Sequence, residues 1–140
     1  MAALAEKVIG QIKPIAPGSS LPTTSLKEDD PQTPSVNLSS LKGKSKLSAA
    51  CNRYTGFPLT CAKTLDVIVG VPGAFSPSCS SQAPGFIEQA QKFADKGVQG
   101  IYIIAVNDVF VTKAWKEKLN AKDSKLVHFL ADDTCQVGQH

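Results

Sequence analysis

The sequence predicts an α/β domain built on a mainly parallel sheet. Two short β-branched runs, Val67–Val71 (VIVGV) and Ile101–Val106 (IYIIAV), show no polar alternation, which is the pattern of strands buried on both faces. Between them Phe86, Ile87, Ala90, Phe93 and Ala94 recur at helical spacing. A strand, a helix and a strand in that order form a right-handed crossover joining parallel strands of one sheet. The length of 140 residues and hydrophobic content of 42% suit one domain and not two.

From Pro14 to about Lys46 the chain is rich in Pro, Ser, Thr and Gly. Short extended pieces fall at Leu21–Leu26 and Val36–Leu38, with turn chemistry at Asp29-Asp30-Pro31. These predict a hairpin-like N-terminal layer, its pieces too short and polar for central strands. Residues 47–65 hold neither period for more than a few positions and are expected to be an irregular insertion. The strand Val67–Val71 ends at Pro72-Gly73. A helix follows from Cys79 and stops at Gly97, where the chain needs a residue tolerant of left-handed backbone. After Ile101–Val106, Asn107-Asp108 can cap a helix whose Val111, Ala114, Trp115 and Leu119 share a face, with Trp115 in the core. Leu126–Leu130 (LVHFL) reads as a third strand, carrying His128 as a structural residue.

Composition narrows the function. The net charge of +3 comes from 15 basic and 12 acidic residues scattered along the chain, without the basic stripe of a nucleic-acid binder. No apolar run approaches the roughly 20 residues of a membrane helix. Cysteines 51, 61, 79 and 135 form no CxxC, and with only His128 and His140 beside them they offer no metal-site spacing, so neither metal nor cofactor is expected. The opening MAALAEKVIGQIKPIAPG has two lysines inside its apolar run, unlike a secretory signal, and too little arginine for a mitochondrial one. A reducing compartment, with the cytoplasm as default, is the expectation.

The chemistry concentrates in Val69 to Cys79 (VGVPGAFSPSC). A cysteine stands at the first turn of a helix, directly after a Pro/Gly turn from a buried strand, where unpaired N–H groups and the positive end of the helix stabilise a thiolate. Pro77 suits the first helical position, and Ser76 or Ser78 can offer a hydroxyl to the sulfur or to an oxygen beside it. The competing reading is a small buried hydrophobe. Lys42, Lys44 and Lys46 read as a solvated turn, and Asp108 as a helix cap.

The stretch VGVPGAFSPSCS followed by PGF resembles the active-site loop of type II peroxiredoxins, whose pattern P-x-x-x-[T/S]-x-x-C is met by Pro72, Ser76 and Cys79. The resemblance continues through IEQAQKFADKGV, YIIAVNDVFVTKAW and VHFLADDT, and more loosely through LPTTSLKEDDP and VNLSSLKGK. It implies a thioredoxin-like fold, a mixed sheet with flanking helices and an N-terminal hairpin, forming a single redoxin domain over 1–140. It also implies a thiol-specific peroxidase reducing hydrogen peroxide and organic hydroperoxides. Cys79 would become a sulfenic acid, Ser76 would hydrogen-bond thiolate and peroxide, Pro72 would shield the sulfur, and the N–H groups of Ser78 and Cys79 would orient the peroxide. Thioredoxin or glutathione with glutaredoxin would supply electrons, and a homodimer is a family habit.

Three departures qualify the resemblance. The family's pocket arginine has no counterpart, since Arg53 is the only arginine and lies in the expected insertion. The family's last strands and helix are expected to be missing beyond Thr134. The position where plant relatives hold a resolving cysteine is Ile103, which leaves the resolving cysteine unassigned; Cys51, Cys61 and Cys135 are read as incidental. The alternative is therefore a truncated, catalytically weak chain with a redox-sensing or subunit-binding role. A dithiol oxidoreductase lacks its CxxC, and a cysteine hydrolase would have only His128 as base.

Overall fold

A computed structural model of the protein describes residues 23–41, 45–50 and 65–137. Along the chain come β1 (Ser25–Glu28), β2 (Val36–Asn37), a 3₁₀ turn (Leu38–Ser40), β3 (Ser45–Ala50), β4 (Leu65–Val71), α1 (Pro77–Glu88), α2 (Ala90–Asp95), β5 (Val98–Ala105), α3 (Val109–Lys118) and β6 (Val127–Ala131). The strands make one sheet in the order β2-β1-β6-β5-β4-β3. Strands β3 to β6 pair in parallel, whereas β1 pairs antiparallel with β2 and β6. The mixed sheet and the N-terminal hairpin are thus as expected.

Four findings correct the sequence reading. β1 lies inside the sheet, although SLKE is short and polar, because Leu26 is buried in the core and the charged Glu28 finds partners described below. Residues 47–50, expected to be irregular, belong to β3, paired with β4 from Leu47 opposite Val67 to Ala50 opposite Gly70; 51–64 lie outside the described residues. The single helix expected up to Gly97 is divided at Gln89, whose φ of −95° and ψ of 6° leave the helical region. Pro84 weakens α1 upstream of that break, having no N–H for the helical ladder. Finally, the buried residues of α3 are Val109, Thr112, Trp115 and Lys116, while Ala114 is exposed and Val111 and Leu119 are half-buried.

The helix ends are chemically specified. Gly97 has a φ of 88° and closes α2, its N–H donating to Ala94 O at 2.8 Å. Asp108 Oδ1 accepts from the N–H groups of Phe110 and Val111, capping α3. At the other end Asn120, with a φ of 54°, and Ala121 donate to Glu117 O and Lys116 O, which satisfies the last carbonyls.

Both faces of the parallel strands are covered, which is why their sequences lack alternation. One face carries Val67, Val69, Val71, Ile101, Ile103, Val127 and Phe129, against which Cys79, Ala83 and Trp115 of the helices pack. The other holds Ile68, Ile104 and Leu130 with Leu26 and Leu38 from the N-terminal layer. Each such Val, Ile, Leu or Phe side chain contributes roughly 1.5–3 kcal/mol on burial. The register sets Val71, Ala105 and Ala131 level across three strands. The loops leaving these three carboxyl ends therefore gather at one edge, the usual place for a site in a parallel sheet.

Candidate active site

The loop from β4 to α1 runs Pro72-Gly73-Ala74-Phe75 before Ser76 caps the helix. Ser76 has extended backbone (φ −64°, ψ 146°), and its Oγ accepts from Cys79 N–H at 3.4 Å. Pro77 takes the first helical position, where the missing N–H costs nothing. Ser80 N–H closes the first turn on Ser76 O at 2.9 Å. Cys79 is thus the third residue of the helix. Because Ser76 Oγ only accepts in this cap, its hydroxyl proton is still available to an acceptor beside it.

Phe75 has a φ of 62°, a left-handed conformation costing a non-glycine residue roughly 1–3 kcal/mol, so the loop must be held from outside. Asn107, just past β5, does this: its Oδ1 accepts from Ala74 N–H at 2.7 Å. A second tie reaches α1 itself, where Trp115 Nε1 donates to Ser80 Oγ at 3.1 Å. Trp115 is in turn set edge-on against Phe129, with ring centroids 5.4 Å apart.

Cys79 is fully buried within the helix-side core, and its thiol is free. A reagent can therefore reach the sulfur only when neighbours in the loop or first turn give way. Pro72 and Ser78 are exposed and Ser76 is half-buried, so the predicted residues Pro72, Ser76, Ser78 and Cys79 occupy one loop and one helical turn.

The remaining candidates lie elsewhere. Cys135, half-buried and free, follows β6 with a φ of 53°. Cys51, Cys61, Arg53, Lys42 and Lys44 fall outside the described residues, and Lys46 sits in β3. Ile103 is a core residue of β5. Among the described residues no cluster of His, Cys, Asp or Glu is arranged to hold a metal ion, and no helix is long and apolar enough to cross a membrane.

His128 is committed to a polar cluster. Its Nδ1 lies 3.2 Å from both Glu28 carboxylate oxygens, and its ring stacks on Tyr102 with centroids 5.0 Å apart. Lys116, read as nothing in the sequence, joins the same cluster with its Nζ 3.2 Å from Glu28 and 2.8 Å from Asp29. Burial pushes the Glu28 carboxyl up, but His128 and Lys116 outweigh it and hold the group below its ordinary range. Burial pulls Lys116 down, and Asp29 and Glu28 more than reverse it. Tyr102 is raised by burial and by the charges of Asp66 and Glu28. This cluster pins β1 to β6 and α3.

Residues 16–140 match the Redoxin family model. Peroxisomal membrane associated protein 20 of Schizosaccharomyces pombe is 61% identical over 66 residues, which is 47% of this chain and 42% of that protein. Peroxiredoxin-2C of Oryza sativa is 52% identical over 67 residues, 47% of this chain and 40% of its own. The chain thus spans about two-fifths of the length of these relatives. Among solved structures, a reduced peroxiredoxin of Vibrio vulnificus in complex with hydrogen peroxide superposes with a TM-score of 0.65 at 31% identity, over 88% of this chain and 65% of that one. Peroxiredoxin 5 of Alvinella pompejana gives 0.63 at 25% identity, over 89% and 66%. The overall architecture is the thioredoxin-like fold of those structures.

Proposed function

The chain belongs to the redoxin family, and from that premise we propose that it is a thiol-specific peroxidase with Cys79 as the attacking thiolate. The observation that carries this reading is the placement of Cys79 as the third residue of α1 behind the Ser76 cap. The sulfur attacks one oxygen of a hydroperoxide and forms an S–O bond as the O–O bond breaks. The leaving alkoxide or hydroxide takes up a proton, so the products are Cys79 sulfenic acid and an alcohol or water. Ser76 donates its hydroxyl hydrogen bond to the reacting oxygens, Pro72 limits water at the sulfur, and the N–H groups of Ser78 and Cys79 orient the peroxide. Cys79 N–H must then exchange its long 3.4 Å bond to Ser76 for one to substrate.

Two thiols, supplied by thioredoxin or by glutathione with glutaredoxin, reduce the sulfenic acid to thiol and water and are themselves oxidised to a disulfide. A second copy of the chain is a proposed partner, with the exposed Phe75, Val106 and Phe110 as its contact. The proposed compartment is the cytoplasm; imaging a tagged full chain tests it, and the peroxisomal label of the yeast relative names the alternative.

The full burial of Cys79 favours a second reading, in which the chain is catalytically weak and senses or binds instead. One experiment separates the two: the rate of Cys79 sulfenic-acid formation with hydrogen peroxide, followed by mass spectrometry, with Cys79→Ser as control. Oxidation orders of magnitude faster than a free thiol, absent from the control, supports the peroxidase. A free-thiol rate overturns it in favour of the second reading.

A further inference from the structure

We propose that Asn107 is a positioning residue for the reaction at Cys79, setting the direction of the peroxide-binding loop through its bond to Ala74; this rests on the peroxidase reading above. The loop must hold Phe75 at a φ of 62°, a conformation that persists only when its surroundings impose it. The hydrogen bond that reaches it from another element falls on the residue just before, where Ala74 N–H meets Asn107 Oδ1 at 2.7 Å.

Asn107 is itself fixed on both sides. Its N–H donates to Ala105 O at 2.9 Å, and Ala105 is paired level with Val71 of β4. The next residue, Asp108, is bound to the first turn of α3. The side chain therefore carries the position of the sheet edge directly to the loop. If that bond is lost, the Ala74 peptide can rotate, and the rotation passes through Phe75 to Ser76 Oγ and to the N–H groups of the first helical turn. Those are the groups proposed to aim at the peroxide, and a misplacement on the order of 1 Å is enough to cost about a hundredfold in rate. The backbone N–H requires an acceptor at the end of a short side chain, which Asn and Asp supply and Ala and Leu do not.

The test measures two reactions of Cys79 on the full chain and on Asn107→Ala and Asn107→Asp: sulfenic-acid formation with hydrogen peroxide, and alkylation by iodoacetamide, which needs access to the sulfur but no oriented O–O bond. The expected result is peroxide oxidation slowed roughly ten- to a hundredfold in Asn107→Ala, with alkylation changed less than about threefold, and Asn107→Asp within about threefold of the parent in both. Fast oxidation in the parent and in Asn107→Ala alike overturns this inference and leaves the peroxidase reading standing. Equal slowing of both reactions, or an Asn107→Asp chain as slow as Asn107→Ala, also overturns it, since Asn107 then only keeps the loop folded or acts by something other than its acceptor. A parent that oxidises no faster than a free thiol overturns the peroxidase reading and takes this one with it.

Discussion

The tie between Trp115 and Ser80 can be weighed by a double-mutant cycle. Trp115 is only 1% exposed, donates to Ser80 Oγ at 3.1 Å and packs edge-on against Phe129. Trp115→Phe keeps a ring against Phe129 but removes two ring carbons and the N–H. At about 0.8 kcal/mol for each buried carbon and about 1 kcal/mol for the hydrogen bond, the loss comes to roughly 2–3 kcal/mol. Ser80→Ala leaves a buried indole N–H without an acceptor, which costs about 1–3 kcal/mol. When Trp115 is already Phe there is no donor to strand, so Ser80→Ala should then cost almost nothing, giving a coupling of about 1–3 kcal/mol. Urea unfolding followed by far-ultraviolet circular dichroism is the assay, because the sequence has a single tryptophan and the substitution removes its fluorescence. Equal costs of Ser80→Ala in the two backgrounds, within about 0.3 kcal/mol, would refute the claim that this bond holds α1 to α3.

Two further outcomes follow from the polar cluster. Lys116→Met should destabilise the chain by about 2 kcal/mol, since it leaves Glu28 with His128 alone. The sign with pH is set at both ends. Glu28 lies below its ordinary 4.5, so its contribution is present above that pH and lost as pH falls through the lowered value. Lys116 lies above 10.5, so its contribution is present below that pH and lost as pH rises through the raised value. The difference in Tm between parent and Lys116→Met should therefore shrink below about pH 4 and above about pH 11; a difference that persists unchanged through both ends would contradict it. Gly100→Ala should cost about 1–3 kcal/mol in chemical denaturation, because the new Cβ would stand 2.6 Å from the Tyr102 ring, which His128 holds by stacking. Unchanged stability would show that Tyr102 moves freely.

How far the sequence disclosed this molecule varies with the kind of signal. Val67–Val71 and the isoleucines of β5 were legible because burial on both faces leaves an unbroken apolar run. The turn into Cys79 was legible because Pro, Gly, Ser and Pro each have a specific backbone use at a helix start. β1 was not, since SLKE is acceptable inside a sheet only when Glu28 meets Lys116 and His128, and these are 88 and 100 residues away. Lys116 looked like any lysine on a helix, and its burial depends on carboxylates that the α3 sequence does not contain. Asn107 was read as part of a cap; Asp108 is the cap, and the task of Asn107 depends on a loop 33 residues earlier. The burial of Cys79 was open in the sequence only as the competing reading, because it arises from packing against helices and sheet together.

The antiparallel attachment of β1 to β6 has a consequence for how the chain folds and opens. From β4 to β6 each strand pairs with the next in sequence, so that portion can assemble through successive crossovers of modest length. The pairing of Glu28 with Leu130 must instead close a loop of about a hundred residues, which places it late in the order of events. In hydrogen exchange the amides of Lys27 and Glu28 should then report a partial opening whose free energy is set by the cluster around Glu28, while those of Val69 and Ile103 exchange only when the whole sheet comes apart.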